Sequence, residues 1–260
     1  MRFLILVAFA GPAFGQVAGP PALPLVDQAG DRPSQATLYD GCVRAIPTEP
    51  KLAEDFARAW AAENAGGVPA RQCLGMALAA QGRNADAARA FAESARLGER
   101  AKSPIVADLR GQAGNAALLA GDPTGAVQHF TSAIAAAGEF APKLSAGLHV
   151  DRARAAVEAG DRALARRDLD RAMALDPNDA TAFLLSAALA RRQGELARAQ
   201  ADVAAASTRA PSDPDVMLEQ GNVAAAAGDV AAARKVWEMV VKAAPDSEAA
   251  RVAANRLKGG

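Results

Sequence analysis

Three stretches of this chain can be written one beneath another: AGLHVDRARAAVEAGDRALARRDLDRAMALDP at 146–177, ATAFLLSAALARRQGELARAQADVAAASTRAP at 180–211, and PDVMLEQGNVAAAAGDVAAARKVWEMVVKAAP at 214–245. Gly160, Gly194 and Gly228 fall 34 residues apart, and so do Pro177, Pro211 and Pro245, a period that marks stacked helical units. Each glycine follows an apolar-periodic run and precedes an acid, in Gly160-Asp161, Gly194-Glu195 and Gly228-Asp229. A glycine at that point can end one helix in the left-handed conformation, and the acid can cap the next. Each proline then closes the second helix, because it cannot donate the hydrogen bond that would continue it.

Working towards the N-terminus, the step lengthens. Gly82, Gly121 and Gly160 are 39 apart, as are Ala87, Ala126 and Ala165, and Phe91, Phe130 and Leu169. The five additional residues fall near Gly98–Pro104 and Gly138–Pro142, between units. Five units result, at 68–102, 107–141, 146–179, 180–213 and 214–247, within a repeat region of 67–247. Alanine forms roughly a quarter of the chain, far above its usual share, so the helices must meet on small side chains. Leu169, Val203 and Trp237, again 34 apart, are the bulky residues that fill the remaining gap.

These units resemble tetratricopeptide repeats. Leu74-Gly75, Gly82, Ala87 and Phe91 match that pattern in the first unit, and Gly221, Gly228-Asp229, Ala233, Trp237 and Pro245 match it in the last. The large aromatic that the family carries early in the first helix is Phe183 in one unit, but Arg71, Arg110, His149 and Met217 in the others. The resemblance implies an all-α, right-handed solenoid of helix-turn-helix repeats whose first helices line a concave face that binds protein or peptide. Carried onto this sequence, that face includes Met76, Asn115, Arg154 and Asn222, with Asp151, Arg191 and Arg192 one turn away. The family's clamp for a terminal carboxylate is missing, because Met76 and Ala79 stand where its polar residues would be. The two longer steps should alter the superhelix locally and are the expected centre of binding.

Outside the repeats, residues 36–66 read as a degenerate helical cap, and 248–260 as a polar C-terminal helix and tail, the lids that solenoids need. Residues 16–35, with Pro20, Pro21, Pro24, Gly30 and Pro33, read as a flexible leader. Arg2, the apolar run Phe3 to Ala10 and the small-residue pattern Ala13-Phe14-Gly15 resemble a signal peptide, residues 1–15, cut after Gly15, with Ala10 and Ala18 as alternative cut points. That implies a periplasmic or secreted protein. In an oxidising compartment Cys42 and Cys73 should pair, closing a loop of about 32 residues worth roughly 3.5 to 4 kcal/mol in the chain-entropy model.

The chain carries 29 Lys+Arg against 29 Asp+Glu, so no long-range field draws it to nucleic acid. No stretch after the N-terminal run is long and apolar enough for a membrane span. The mixed charges Asp161, Arg162, Arg166, Arg167, Asp168, Asp170 and Arg171 read as a solvated helix face. His129 and His149 lie in separate units without a metal-ligand partner, and His149 takes a packing position. Nucleotide-binding and hydrolase motifs are missing from the sequence, and the Gly111-to-Gly114 match falls within a helix. The reading is a non-enzymatic scaffold or adaptor of the bacterial cell envelope without a cofactor. Its alternative is a self-associating structural element or an accessory subunit of an envelope enzyme or assembly. N-terminal sequencing of the exported protein should begin at Gln16; a start at Met1 or Arg2 overturns the signal.

Overall fold

The computed structural model describes residues 33–63, 66–138 and 141–259. The expected signal peptide, its expected cut site and the expected leader up to residue 32 fall outside the described residues. Among those described are thirteen α-helices and no strand. Two helices, α1 (Gln35–Ala45) and α2 (Pro50–Ala62), precede five helical hairpins. These are α3 (Gly67–Ala80) with α4 (Asn84–Arg100), α5 (Val106–Leu119) with α6 (Pro123–Ala137), α7 (Pro142–Glu158) with α8 (Arg162–Leu175), α9 (Ala180–Gln193) with α10 (Leu196–Arg209), and α11 (Pro214–Ala226) with α12 (Val230–Ala243). Helix α13 (Glu248–Lys258) closes the stack. No described helix is long and apolar enough to cross a membrane.

The turn chemistry behaves as the spacing implies. The glycine after each first helix has positive φ, from 73° at Gly82 to 88° at Gly228, a conformation that glycine adopts without steric cost. Asp122, Asp161 and Asp229 each cap the following helix by accepting from the backbone N–H of Gly125, Leu164 and Ala232. Glu195 does not cap α10; its carboxylate is one methylene further from the backbone than an aspartate's. The additional residues of the 39-residue steps are taken up mainly as helix. They lengthen α4 and α7 to 17 residues each, against 14 for α9 and α12.

Packing within each hairpin follows a size match between residues 16 positions apart. Phe91 lies against Gly75, Phe130 against Gly114 and Trp237 against Gly221, so close that a Cβ on Gly221 would stand 2.5 Å from the indole Nε1. In the units whose second helix offers Leu169 or Val203, the facing residue is Ala153 or Ala187. A large ring meets no side chain, and a branched aliphatic meets a methyl group. Ala87, Ala126, Ala165, Ala199 and Ala233, at one register of the five units, are all fully buried. Near-zero exposure at an alanine means the neighbouring backbone lies almost in contact, at the short end of the 8–10 Å range for helix pairs.

Where the family carries an early aromatic, basic residues are paired with carboxylates of a second helix. Arg71 Nε lies 3.8 Å from Glu93, Arg110 reaches Glu99 at 2.6 Å, and His149 Nδ1 lies 2.8 Å from Asp168. Phe183, the aromatic that is retained, carries the Arg209 guanidinium 4.0 Å above its ring.

The charged stretch of α8 departs from the solvated face read in the sequence. Asp168 is 2% exposed and takes two hydrogen bonds from Arg152 beside the one to His149. Burial alone would raise its pKa, but Arg152 and His149 outweigh that and hold it below the usual carboxylate range. Arg166 is mostly buried as well and reaches into the next unit, donating to Ser186 Oγ at 2.6 Å and Ser186 O at 3.2 Å. Alanine faces are too shallow to fill the angle between successive hairpins, and long polar side chains complete it.

At the N-terminal end, Cys42 of α1 and Cys73 of α3 form a disulfide with Cα atoms 6.4 Å apart, both residues fully buried. Beside it, Glu54 of α2 is buried under Arg58, Gln81 and Arg83, which donate to it at 2.9, 3.1 and 2.9 Å. Burial pushes the Glu54 carboxyl up, but these three donors dominate and hold it at about 2, against an ordinary value of 4.5. A depressed folded-state pKa contributes stability above the unfolded value and loses it as pH falls through the folded one. Acid melting curves should therefore lose stability between pH 4.5 and 2, and Glu54→Gln should remove that part of the pH dependence.

Gly221→Val should destabilise the last hairpin by about 1–3 kcal/mol, because the Trp237 ring has nowhere to go. Gly147→Ala, at an exposed helical site with nothing within 4 Å, should be neutral or stabilising by about 0.5–1 kcal/mol. Thermal or urea unfolding of the two variants checks both.

Candidate functional site

First helices of neighbouring units touch one another in the pairs α1–α3, α5–α7, α9–α11 and α11–α13, whereas no two second helices come into comparable contact. In a curved stack the inner elements converge and the outer ones diverge, so first helices form the inner wall. Equivalent positions along that wall are Met76, Asn115, Arg154, Ala188, Asn222 and Arg256, following the steps of 39 and 34.

The sequence candidates on this wall have different fates. Met76 is half-buried and packs against the cores on both sides of it, and Asn115 is exposed. Arg154 pairs with Asp151 at 2.8 Å, and burial pushes the Asp151 carboxyl up while Arg154 opposes it. Arg191 and Asn222 meet across the groove between α9 and α11. Arg191 makes a two-pronged pair with Glu219 at 2.6 and 3.0 Å, and Asn222 donates to the same carboxylate at 3.1 Å. With Glu219 only 6% exposed, Arg191 holds two helices together and is not free to meet a ligand.

Arg192 is exposed and has no salt bridge among the described residues. It stands with Arg154 on the rim of a cleft of about 220 Å³ between α7 and α9. The cleft walls are apolar, made by Ala153, Val157, Leu169, Leu185, Ala188 and Leu189, and Glu158 completes the rim. This cleft opens where α7 and α9, unlike α9 and α11, make no substantial contact. It is lined by the C-terminal half of α7, away from the added turn at its N-terminus, so the longer steps are not its centre.

The repeat register explains why one groove is open and the next is shut. Val157, Leu185 and Ala188 of the open cleft correspond, 34 residues on, to Arg191, Glu219 and Asn222. An aliphatic pair leaves a slot between two helices; a charged pair with a hydrogen-bonding amide bridges it. Sequence reasoning found the arginines of the rim but missed Leu185, Leu189 and Glu219, although the comparison of Leu185 with Glu219 at one register carried the signal. The arrangement is suited to holding an apolar side chain in a slot with guanidinium groups at its mouth, and no group of three or more potential metal ligands occurs among the described residues.

The tetratricopeptide-repeat family model matches residues 74–142, 150–214 and 184–248, well over half of the chain. Among solved structures, a tetratricopeptide repeat protein from Parabacteroides merdae is similar with a TM-score of 0.69 at 14% identity, covering 86% of this chain and 85% of that one. PilW, a widely conserved type IV pilus biogenesis factor, is similar with a TM-score of 0.65 at 18% identity, over 84% of this chain and 96% of that one. YrrB, a tetratricopeptide protein with an unusual peptide-binding site, is similar with a TM-score of 0.54 at 21% identity, over 76% of this chain and 99% of that one. At these identities the likeness is one of fold. No curated protein matches the sequence significantly. Repeat register, hairpin geometry and family match agree, and the chain belongs to the tetratricopeptide-repeat family, whose fold is a protein-interaction scaffold.

Proposed function

We propose that this chain is a non-enzymatic adaptor of the bacterial cell envelope that holds a peptide or protein segment on its inner wall. The observation that carries the reading is the apolar cleft between α7 and α9 with Arg154 and Arg192 at its mouth. Such a cleft suits a bulky apolar side chain flanked by acidic residues: burial of the anchor supplies affinity, and the guanidinium groups set its register. Export is supported by the N-terminal run Phe3 to Ala10 and by a disulfide of the kind that persists in oxidising compartments. A peptide-binding neighbour and a pilus biogenesis factor among similar folds accord with an assembly role.

Affinity capture from a periplasmic extract, followed by mass spectrometry, would identify the partner. Against the captured partner, Arg154→Ala with Arg192→Ala should weaken binding by about tenfold or more and flatten its salt dependence, while leaving the melting temperature unchanged. Unchanged affinity and salt dependence in that double variant would refute the role of the cleft rim. Arg191→Ala should act differently, lowering stability by about 1–3 kcal/mol because it leaves Glu219 buried without its partner. Sedimentation of the purified protein tests the alternative, since a concentration-dependent series of oligomers would favour self-association.

A further inference from the structure

The junction between the third and fourth units is built unlike the others. Of the contacts between the second helix of one unit and the first helix of the next, that of α8 with α9 is the least extensive. The two junctions before it gain from the longer step, which extends α4 and α7 to 17 residues each. The junction after it is reinforced on the inner wall, where Arg191 of α9 reaches Glu219 of α11. The α8–α9 junction has neither support, and its inner side is the open α7–α9 cleft. Little apolar packing crosses it: Ala182 of α9 joins a cluster with Val150 and Ala172, and Leu189 joins one with Leu169. On the outer side the connection is polar. Arg166 of α8 donates to Ser186 of α9 at 2.6 Å, and Ser186 donates to Asp202 of α10 at 2.5 Å. Arg198 of α10 donates to Asp202 at 3.3 Å and reaches back to Asp170 of α8. The buried Nε of Arg166 has no acceptor among the described residues, so the network holds a donor in reserve.

We propose that this junction is a hinge: the outer polar network is its pivot, and rotation about it opens and closes the α7–α9 cleft while the helices up to α8 and those from α9 onward move as two bodies. Long side chains that meet end to end keep their hydrogen bonds through small rotations, whereas interdigitated apolar side chains do not, because a packed core holds discrete arrangements. The neighbouring groove shows the closed limit. Val157 and Ala188 are smaller than Arg191 and Asn222, whose register they share, so these side chains leave room for α7 to approach α9 as α9 approaches α11. Closing takes the aliphatic walls of the cleft out of water; opening keeps the outer hydrogen bonds as they stand in this structure. These terms oppose each other, and an occupant of the cleft shifts the balance by adding apolar contact to the open position alone. The inference goes beyond the adaptor reading, since it requires a cleft that opens and closes and no particular occupant.

Both cysteines are held in the disulfide, so cysteines introduced into the full chain take spin labels selectively. Gly147→Cys with Lys235→Cys spans the junction, Arg89→Cys with Gly147→Cys lies before it, and Gln200→Cys with Lys235→Cys lies after it; all four sites are exposed. Pulsed electron-spin distance measurements should give a distribution across the junction about twice as wide as that of either control pair. Val157→Arg with Leu185→Glu copies the bridge of the next groove into this one and should narrow the cross-junction distribution to the width of the controls. A cross-junction distribution no wider than the controls, whether all three are narrow or all are broad, overturns the hinge. A wide distribution that the charged pair leaves wide, in a variant with an unchanged melting curve, overturns the assignment of the motion to the cleft. Should that variant fail to fold, the three label pairs in the otherwise unsubstituted chain still decide whether the hinge exists. No ligand enters these measurements, so a failed hinge leaves the adaptor reading standing, and a failure to capture a partner leaves the hinge standing.

Discussion

The size match between a first-helix residue and the residue 16 positions later in the second helix governs the rest of this structure. Gly75, Gly114 and Gly221 admit Phe91, Phe130 and Trp237, while Ala153 and Ala187 admit Leu169 and Val203. Because the sum of the two side chains stays roughly constant, five hairpins of unlike composition close to a similar separation. Their similarity lets them stack, and stacking buries the apolar faces that no single hairpin can bury alone. A core of small residues has a consequence. Alanine buries little area, roughly 25 cal/mol for each square ångström removed from water, so helix contact must be long and continuous to stabilise the fold.

That shallow core explains the buried charges. Glu54, Asp168 and Glu219 are each less than a tenth exposed, and each is met by an arginine from outside its own helix. Breaking such a cluster by removing one partner strands a charge in a poorly solvated place, whereas a mis-stacked hairpin would strand it just as surely. The Glu54 and Glu219 clusters, which join successive units, therefore hold the stacking register that alanine faces, being nearly featureless, define only loosely. The same device shapes the inner wall. A charged bridge at one groove and aliphatic residues at the preceding one make an open slot beside a closure out of a repeating helix.

Much of the fold is legible in the residues because helix ends and hairpin packing are local. Glycine with positive φ, an aspartate cap and a proline stop each act within a few residues, so a recurrence at 34 or 39 residues reports them directly. The disulfide follows from there being two cysteines, and the helix from Glu248 to Lys258 from its own pattern. The site is less legible. Arg154, Arg191 and Arg192 look alike in sequence, yet Arg191 is a structural bridge, while Arg154 and Arg192 rim a cleft. What separates them is the residue each faces on another helix, and the chain brings that residue near only through stacking. Asp168 and Arg166 mislead for the same reason: a mixed-charge run marks a solvated face only if nothing packs over it.

By itself, then, the sequence determined the repeat, its two step lengths, the hairpin ends and the pairing of the cysteines, since these depend on intrinsic backbone preferences and on residues in the same unit. Only the tertiary structure decided which grooves of the inner wall are open. Each groove is the meeting of two helices from different units, and its width depends on side-chain pairs such as Leu185 with Val157, or Glu219 with Arg191, whose partners lie 28 residues apart in the chain and side by side in the stack.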